Sequence, residues 1–506
     1  MVARFKKLLK EKDREIKIYR KSIIKKNRTI FFLIREGYEK KLVLLYPNDV
    51  EGVSANFISE EEGKLGGFWN YKICPCNREN ANELRKNFPF TRPRVIGLTP
   101  AIGCGDRIGL ATPGHIRAVR KFNVFPVLAQ QSIREMTRTA RTPRDVLDDV
   151  SWSVFQEGYK KGFASDADHL KTEEDIKSTF EAGFTMYTLD PSSFVDDEAD
   201  KDDLKTLKEK FERIPWFDLN CDKEKFLDMY LGKEFIIEDG DNSFKISFTE
   251  ENLIRAAVKY SAAIAHILRL KRFLDRLFKD KKYDLEVSID ETESPTKPLE
   301  HLFIALELKR LHINIQGLAL RFVGLFEKAV DYIGDLKEFE ETLRKHVLIA
   351  KKFGPYKLSI HSGSDKFSIY PILGKIAGDM IHLKTAGTSY LESLRIIARH
   401  DPELFKEIIQ YSIKCFEKDR ASYHISTKLS MVPSVEKVSD EELEKVYLDR
   451  NPGRQVLHVT FGSILTLKKG EKWIFRDRIR KVLLDNEEEY YETISKHIER
   501  HIRGTF

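Results

Sequence analysis

From Arg94 onwards, short apolar runs alternate along the chain with stretches that have helical periodicity. This alternation is typical of repeated βα units, and eight parallel strands of this kind close a barrel. The candidate strands are residues 95–99, 124–129, 162–165, 184–189, 285–289, 313–315, 357–360 and 380–383. A ninth apolar segment, residues 423–426, competes for one of these positions. The pattern therefore predicts an α/β fold, a (β/α)8 TIM barrel.

The regions outside this alternation predict three additions to the barrel. We expect residues 1–90 to form an N-terminal cap region and residues 91–430 to form the catalytic barrel. The gap after the fourth candidate strand is too long for one crossover helix, so residues 195–280 are predicted to be an insertion or lid. Residues 431–506 are predicted to be an α/β extension that packs on the barrel.

Shorter patterns suggest the content of these additions. Residues 29–34 and 42–46 have the composition of two strands within the cap region. Residues 234–248 have the pattern of a β-hairpin around Gly240, and residues 456–461 resemble a further strand in the C-terminal extension. Each addition is therefore expected to contain some β structure.

The charge balance excludes few partners but does not favour nucleic acid. The 506 residues include 87 basic and 80 acidic side chains, a net charge of +7 that is small for a chain of this length. Such an excess does not imply nucleic-acid binding, and it suits an anionic small substrate equally well. Residues 6–26 are basic, and their interspersed acidic residues favour a solvated amphipathic helix over a membrane-surface helix or a nucleic-acid arm. The charged fraction of 33% is weakly typical of a heat-stable protein.

The cysteines and the apolar runs indicate the compartment. An odd number of scattered cysteines argues against a secreted disulfide framework. They are Cys74, Cys76, Cys104, Cys221 and Cys415. No run of about 18 apolar residues is present, and the N-terminus lacks the apolar core of a signal peptide. We therefore expect a cytoplasmic protein without a membrane partner, and homo-oligomerisation is left open.

Two histidines follow candidate strands and suggest a metal site. His169 ends the sequence Asp-Ala-Asp-His after the third strand, and His361 follows the seventh. The carboxyl ends of barrel strands carry the active site, and a divalent metal is often bound there by imidazole and oxygen ligands from different strands. Gln316, assigned to the end of the sixth strand, is the candidate third ligand. The alternative is that each histidine only caps a strand and forms local hydrogen bonds.

Carboxylates beside these histidines could transfer protons. Asp168 precedes His169, so the two side chains point in different directions along an extended strand end. Asp168 is the first candidate for proton transfer and Asp166 the second. The fifth strand ends in an acidic patch, from which Glu291 or Asp290 would supply the complementary acid or base.

Several further residues at strand ends could bind an anionic substrate. Small and basic residues in barrel loops often hold anions through backbone amides and side chains. The candidates are Arg107, Gln130, Arg134, Ser362, Ser364, Lys366 and Lys384. The glycine-rich segment 103–109 is one residue too long for a dinucleotide fingerprint, so a nicotinamide cofactor is not expected.

Asp168-His169, the acidic fifth-strand end, Gln316-Gly317 and residues 361–364 together resemble the active-site layout of class II aldolases. More specifically, residues 103–115, 129–136, 166–169 and 361–366 resemble the tagaturonate/fructuronate epimerase family, over most of the chain. The resemblance implies a metal-dependent interconversion of two keto-hexuronates, with related enzymes acting on tagatose and fructose. It leaves the metal undetermined among Zn, Mn, Ni, Co and Fe.

The chemistry that this resemblance implies restricts the mechanism. The carbon that differs between the two sugars lies one beyond the carbon adjacent to the ketone, so enolisation does not acidify its C–H bond. Retro-aldol cleavage with re-addition is favoured, with Asp168 and Glu291 moving the hydroxyl proton; direct proton transfer between the same two carboxylates is the alternative. A class II-type sugar aldolase and a non-catalytic aldolase-like subunit are the competing functions.

Overall fold

The computed structural model describes residues 1–49, 55–240 and 242–506, and its chain begins with an antiparallel sheet flanked by two helices. The helices are α1 (Val2–Lys10) and α2 (Arg78–Asn87). The strands are β1 (Ile16–Ile18), β2 (Ile24–Lys26), β3 (Thr29–Glu36), β4 (Glu39–Pro47), β5 (Glu61–Lys64) and β6 (Trp69–Pro75). The predicted strands at 29–34 and 42–46 are confirmed as β3 and β4, which pair with each other.

Both faces of this sheet are covered because its central strands are apolar on both sides. Phe31 and Leu33 pack with residues of α2 on one face, and Phe32 and Ile34 pack with Phe5 of α1 on the other. Consecutive side chains of a strand point to opposite faces, so a continuous apolar run needs two covering layers.

Eight parallel strands close a barrel, which confirms the predicted fold. The strands that follow the N-terminal sheet are β7 (Ala101–Gly103), β8 (Phe125–Ser132), β9 (Ala164–Leu170), β10 (Met186–Leu189), β11 (Glu234–Asp239), β12 (Asn242–Ser247), β13 (Asp284–Ile289), β14 (Gly317–Leu320), β15 (Lys357–Ile360) and β16 (Ile381–Lys384). The barrel order is β7-β8-β9-β10-β13-β14-β15-β16, and β16 pairs with β7 to close it. Strands β11 and β12 form the separate antiparallel hairpin expected around Gly240.

Two of the eight strand predictions are wrong in position. Residues 95–99 are not a strand, because the Asp284 carboxylate accepts hydrogen bonds from the backbone N–H groups of Ile96 and Gly97 at 2.6 and 3.0 Å. Residues 313–315 only lead up to β14, which begins at Gly317. A Cβ at Gly317 would lie 2.6 Å from Oε2 of Glu286, so only glycine fits beside that buried carboxylate.

Helices between the strands surround the barrel. They are α3 (Thr112–Val119), α4 (Ile133–Arg138), α5 (Pro143–Gln156), α6 (Glu173–Ala182), α7 (Leu204–Phe211), α8 (Lys223–Tyr230), α9 (Glu250–Phe278), α10 (Pro298–Arg310), α11 (Leu336–Phe353), α12 (Tyr370–Ala377), α13 (Ser389–His400) and α14 (Pro402–Asp419). Helices α7 and α8 and the β11–β12 hairpin lie between β10 and the long α9.

The C-terminal region consists mainly of helices, with one short pair of antiparallel strands. Its elements are α15 (Leu443–Tyr447), α16 (Asn451–Val459), α17 (Phe461–Thr466), β17 (Lys468–Lys469), β18 (Lys472–Trp473), α18 (Arg476–Asp485) and α19 (Glu487–Thr505). Residues 456–461, predicted as a strand, mostly belong to α16, because their apolar side chains recur at helical spacing among polar neighbours. Helix α19 packs along α3 and α13 of the barrel.

Among the described residues, no helix combines the length and the apolar character that a membrane span requires.

Candidate functional site

A cavity of about 560 Å³ opens at the carboxyl ends of the barrel strands. Most of its lining comes from the carboxyl ends of β8, β9, β14 and β16 and from the segments that follow β7, β8, β13, β14, β15 and β16, and the rest from residues 423–425 and His458. The predicted site residues on this lining are Arg107, Gln130, Arg134, Asp168, His169, Glu291, His361, Ser362, Ser364 and Lys384. The carboxyl ends of parallel strands meet at one edge of a barrel, which is why residues so distant in sequence come together.

The two histidines lie side by side in this cavity. Their ring centroids are 4.9 Å apart. His169 adopts a left-handed backbone conformation with φ of 52°, which turns its ring towards the cavity at the end of β9. Nδ1 of His169 lies 3.1 Å from Oδ2 of buried Asp190, and Nε2 of His361 lies 2.8 Å from Oε1 of buried Glu286. One nitrogen of each ring is therefore held by a buried carboxylate.

The remaining nitrogen of His361 faces a carboxylate and not a donor. Nδ1 of His361 has no hydrogen-bond partner among the described residues, yet it lies 3.1 Å from Oδ1 of Asp290. Burial lowers the pKa of His361, but Asp290 and Glu286 outweigh it and raise the pKa to about 10. Their negative charge requires a positive charge at this position, which either a proton or a metal ion would supply.

An ammonium group lies beneath the histidines at the centre of three carboxylates. Lys384 Nζ is 2.8 Å from both Asp166 Oδ2 and Asp168 Oδ1, and 2.7 Å from Glu286 Oε1. Burial alone would raise the pKa of Asp168, but Lys384 and the two histidines lower it well below its usual range. For Asp166, burial and its acidic neighbours raise the pKa to about 6, against the effect of Lys384. Lys384 is thus bound by the protein itself, although the sequence suggested it for substrate.

Asp168 and Glu291 approach the histidines from different directions. Both oxygens of Asp168 are engaged, one by Lys384 and the other by Gln130 Nε2 at 2.8 Å. Glu291 lies at the rim with its side chain 37% exposed, 3.6 Å from Arg134 Nη2. Donor atoms of His169 and Glu291 fall within 4.8 Å of each other. The cavity thus has one fixed and buried carboxylate and one accessible carboxylate.

Two predicted site residues lie outside the cavity. Gln316 is at the amino end of the barrel, where its Oε1 accepts a hydrogen bond from Leu285 N at 2.7 Å, so its prediction as third ligand is wrong. The error follows from the misplaced sixth strand, because Gln316 precedes β14 and does not end it. Lys366 is buried with its Nζ on the carbonyl oxygens of Glu327, Val330 and Ser364, and burial lowers its pKa to about 7. It holds two loops together and does not face a substrate.

The local sequence explains how the arginines reach the site. Ser132 and Glu135 form a capping box that starts α4 directly after β8 and places Arg134 and Glu135 in its first turn. Glu135 Oε1 accepts hydrogen bonds from Nε and Nη2 of Arg107 at 3.0 and 2.5 Å. The Arg107 guanidinium also lies 3.7 Å from the centre of the Phe461 ring. The Thr172 hydroxyl group caps α6, and Asp166 lies in the barrel interior.

Sequence reasoning missed several residues around the cavity. They are Asp190, Glu286, Lys328, His382 and His458. Asp190 directly follows β10 and could have been found by the rule that selected His169. Glu286 and His382 lie within strands that otherwise read as apolar, and Lys328 and His458 lie far from any strand end, so no local pattern marks them.

A second group of potential ligands, Asp365, His497 and His501, does not fit a metal. Nε2 of His501 accepts the backbone N–H of Asp365 at 3.0 Å, and its Nδ1 lies 2.8 Å from the His497 carbonyl oxygen. Asp365 is paired with Arg454 Nη2 at 2.6 Å. Both ring nitrogens of His501 and one oxygen of Asp365 are therefore used within the protein.

Comparison with known proteins gives matches over nearly the whole chain. Residues 19–504 match a family model described as tagaturonate epimerase. The tagaturonate/fructuronate epimerase of Thermotoga maritima is 46% identical over 489 residues, which cover 97% of each chain. The native crystal structure of fructuronate-tagaturonate epimerase UxaE from Cohnella laeviribosi has a TM-score of 0.90 and 36% identity, covering 100% of this chain and 99% of that one. Its complex with one glycerol has the same TM-score and identity and covers 99% and 98%.

Proposed function

This chain belongs to the tagaturonate epimerase family, and from that premise we propose that it interconverts D-tagaturonate and D-fructuronate in the cavity at the carboxyl end of the barrel. The observation that carries the proposal is the pair of adjacent histidines, in which Asp190 holds Nδ1 of His169 and Glu286 holds Nε2 of His361. Metal-binding histidines commonly donate their second ring N–H to a carboxylate in this way.

The donor set fits a divalent metal. Donor atoms of Asp168, His169 and His361 lie within 4.8 Å of one another. Because Lys384 and Gln130 already engage both oxygens of Asp168, Asp290 is proposed as the carboxylate ligand beside the two histidines, since it lies 3.1 Å from the unpartnered Nδ1 of His361. Histidine nitrogen with carboxylate oxygen suits Zn, Mn, Co, Ni or Fe. When bound, such an ion supplies Lewis acidity towards a ketone oxygen and offsets the negative charge that develops there.

The residues around the donor set suit a retro-aldol route. Asp168, ionised because Lys384 and Gln130 hold it, would accept the proton of the hydroxyl group as the adjacent C–C bond breaks. The bonding electrons remain on the fragment that carries the ketone, as an enediolate, and the other fragment becomes an aldehyde. After the aldehyde rotates, the bond re-forms on its opposite face, and Glu291 returns a proton to the new hydroxyl group. Exchange with solvent resets the two carboxylates.

Polar side chains of the lining would orient the sugar. The cavity surface carries guanidinium, amide and hydroxyl groups, which bind the hydroxyl groups of sugars. They belong to Arg107, Gln130, Arg134, Ser362 and Ser364. Lys384 contributes by fixing Asp168 and by neutralising the buried carboxylates, since all its contacts are with protein oxygens.

Incubation of metal-loaded enzyme with tagaturonate in D2O, followed by proton NMR, tests the proposal. We expect fructuronate to accumulate with its hydrogen at the inverted carbon retained, because retro-aldol cleavage never breaks that C–H bond. Deuterium at that carbon would instead support direct proton transfer between Asp168 and Glu291.

The same spectra distinguish the competing functions. Accumulation of two three-carbon products without fructuronate would make the protein a sugar aldolase, and the absence of any conversion would support a non-catalytic role. Epimerisation of tagatose to fructose is a further proposed activity, measured in parallel with the neutral sugar.

A further inference from the structure

We propose that Arg107, Lys328 and His458 form a subsite that binds the carboxylate of the hexuronate and selects uronates over neutral ketoses. This inference rests on the proposed epimerase function and assigns one end of the substrate to one side of the cavity. All three side chains line the same cavity as the two histidines, and they come from the loop after β7, the loop after β14 and helix α16.

Arg107 has one donor group that the protein does not use. Its side chain is 4% exposed, and Glu135 engages Nε and Nη2. The third nitrogen, Nη1, is buried and has no hydrogen-bond partner among the described residues. A buried N–H group without an acceptor is costly, so an oxygen supplied by a ligand would stabilise this arrangement. Phe461, stacked on the guanidinium, fixes the direction of the free group.

Lys328 brings an ammonium group without a counter-ion into the cavity. Its Nζ donates a hydrogen bond to Ser362 Oγ at 2.5 Å, and within the described ranges it forms no ion pair with a carboxylate. Burial and the neighbouring Arg134 lower its pKa, which is the effect expected of an ammonium that lacks a close anion. Lys366 holds the loop before and after Lys328 through the carbonyl groups of Glu327 and Val330, so the position of Lys328 is fixed by the fold.

His458 completes the group from the C-terminal region. It is 3% exposed, and its Nδ1 has no partner in the described part of the chain. Burial lowers the pKa of its ring most, and the positive charges of Arg107 and Lys328 lower it further. His458 and Arg107 converge on Gly387, where a Cβ would collide with His458 Cε1 and lie 3.2 Å from Arg107 Nη2.

The charges of the lining favour an anion at this place over the positions of Lys384 and Arg134. Lys384 is surrounded by three carboxylates, and Arg134 is paired with Glu291. At the subsite, by contrast, Glu135 is the only carboxylate among the described residues that forms an ion pair with Arg107 or Lys328. A carboxylate can accept bonds from both an arginine N–H and an ammonium group, which matches the donors available here.

An anchored carboxylate also serves the proposed reaction. The carboxylate belongs to the aldehyde fragment, which must rotate after cleavage while the other fragment stays near the histidines. Fixing its charged end lets the aldehyde turn over without leaving the cavity, and so favours re-addition over release.

The two enantiomers of glycerate and neutral glycerol are suitable probes, because glycerate is the reduced form of the aldehyde fragment. Isothermal titration calorimetry of the metal-loaded protein should show that Lys328→Met and His458→Asn weaken glycerate binding about tenfold or more, the loss of one charge-assisted hydrogen bond. Glycerol binding should not change. In kinetic assays, the KM for tagaturonate should rise by a similar factor and kcat by much less, and Lys328→Arg should restore part of the affinity.

Lys496→Met is the matched control, since Lys496 lines a separate cavity and pairs with Glu492 on the surface. Unchanged glycerate binding in Lys328→Met and His458→Asn would overturn the subsite, even if the wild type epimerises tagaturonate. The subsite would also be overturned if only Arg321→Gln lost glycerate binding. Arg321 is the alternative anchor because it lines the cavity and its Nε lacks a partner within the described ranges. If the wild type binds glycerate but leaves tagaturonate unconverted, the proposed function fails and the subsite stands.

Discussion

At the scale of single residues, neighbours in the sequence Asp166-Ala-Asp168-His169 have different environments. Asp166 points into the barrel, where it accepts a hydrogen bond from Thr188 at 2.8 Å, and its pKa is raised. Asp168 faces the cavity with a lowered pKa, and the left-handed backbone of His169 turns its ring towards the same cavity. One short cluster thus supplies a structural acid, an ionised carboxylate and a ring facing the cavity.

Metal content separates the residues that would bind the ion from the one that would move a proton. We expect His169→Ala, His361→Ala and Asp290→Asn each to weaken metal binding at least about tenfold, because the alanine variants remove a donor nitrogen and Asp290→Asn removes the negative charge of the donor oxygen. Asp168→Asn should keep the metal and lower turnover about 100-fold or more, because the amide cannot accept a proton. Inductively coupled plasma mass spectrometry with the NMR assay measures both.

The control for these variants is His400→Ala, which changes a surface histidine paired with Glu489. Unchanged metal content in both His169→Ala and His361→Ala would disprove the proposed site. If Asp168→Asn lost the metal and Asp290→Asn retained it fully, the third ligand of the metal would be Asp168 and not Asp290.

At the scale of elements, helix α19 joins the N-terminal sheet to the barrel through its first residue. The Glu487 side chain is 2% exposed, and its carboxylate contacts Lys17 Nζ at 2.6 Å and the hydroxyl groups of Tyr19 and Tyr491, each at 2.7 Å. A negative charge at a helix N-terminus is also favoured by the helix dipole. Burial by itself raises the pKa of Glu487, but Lys40, Lys17 and the hydroxyl groups lower it to about 2.

This contact makes stability depend on pH in a defined direction. A folded-state pKa of about 2, below the ordinary value of 4.5, stabilises the folded state fully above about pH 4.5, and the effect is lost as the pH falls to about 2. The shift corresponds to about 3 kcal/mol. Glu487→Gln should therefore lower the free energy of unfolding by roughly this amount near neutral pH, with a smaller difference from wild type near pH 3.

Urea unfolding of both proteins across this pH range measures the effect. Glu488→Gln is the control, because its side chain is 65% exposed and should change the stability little. A difference between Glu487→Gln and wild type that stays constant on acidification would contradict the assignment.

At the scale of the whole molecule, the C-terminal region contributes to the cavity and does not merely cover the barrel. Helix α16 carries both His458 and Arg454, and Arg454 reaches the loop after β15 through Asp365. Its Nε also donates to the Ala329 carbonyl oxygen at 2.9 Å, next to Lys328. One arginine therefore links α16 to two loops that line the cavity.

Arg454→Met should weaken both the fold and substrate binding. Removing one partner of a buried ion pair leaves Asp365 uncompensated, which costs about 3–5 kcal/mol. Because the same side chain positions α16 and the loop at Ala329, we also expect a higher KM for tagaturonate with a smaller change in kcat. Urea unfolding and steady-state kinetics measure the two effects, with exposed Arg450→Met as the control at the start of the same helix. A decrease in the free energy of unfolding of the expected size, together with an unchanged KM, would show that Arg454 does not position the site.

The sequence by itself determined the barrel, because a period of alternating strands and helices is a local pattern that survives without tertiary contacts. It also predicted that Asp168, His169 and His361 lie at the carboxyl edge of the barrel, where the structure brings them into one cavity, since polar residues directly after apolar strands mark this edge. Gln316 was misassigned because a strand of four residues that begins with Gly317 carries almost no signal of its own.

Only the tertiary structure decided which charged groups act together. Glu286 and Lys384 lie on strands 98 residues apart in the chain, yet their side chains are 2.7 Å apart inside the barrel. Lys328 lies in a loop eight residues after β14, and His458 lies in the last turn of α16, so neither directly follows a strand. Their role depends on burial and on the absence of a nearby counter-charge among the described residues, and both properties arise only when distant segments pack together.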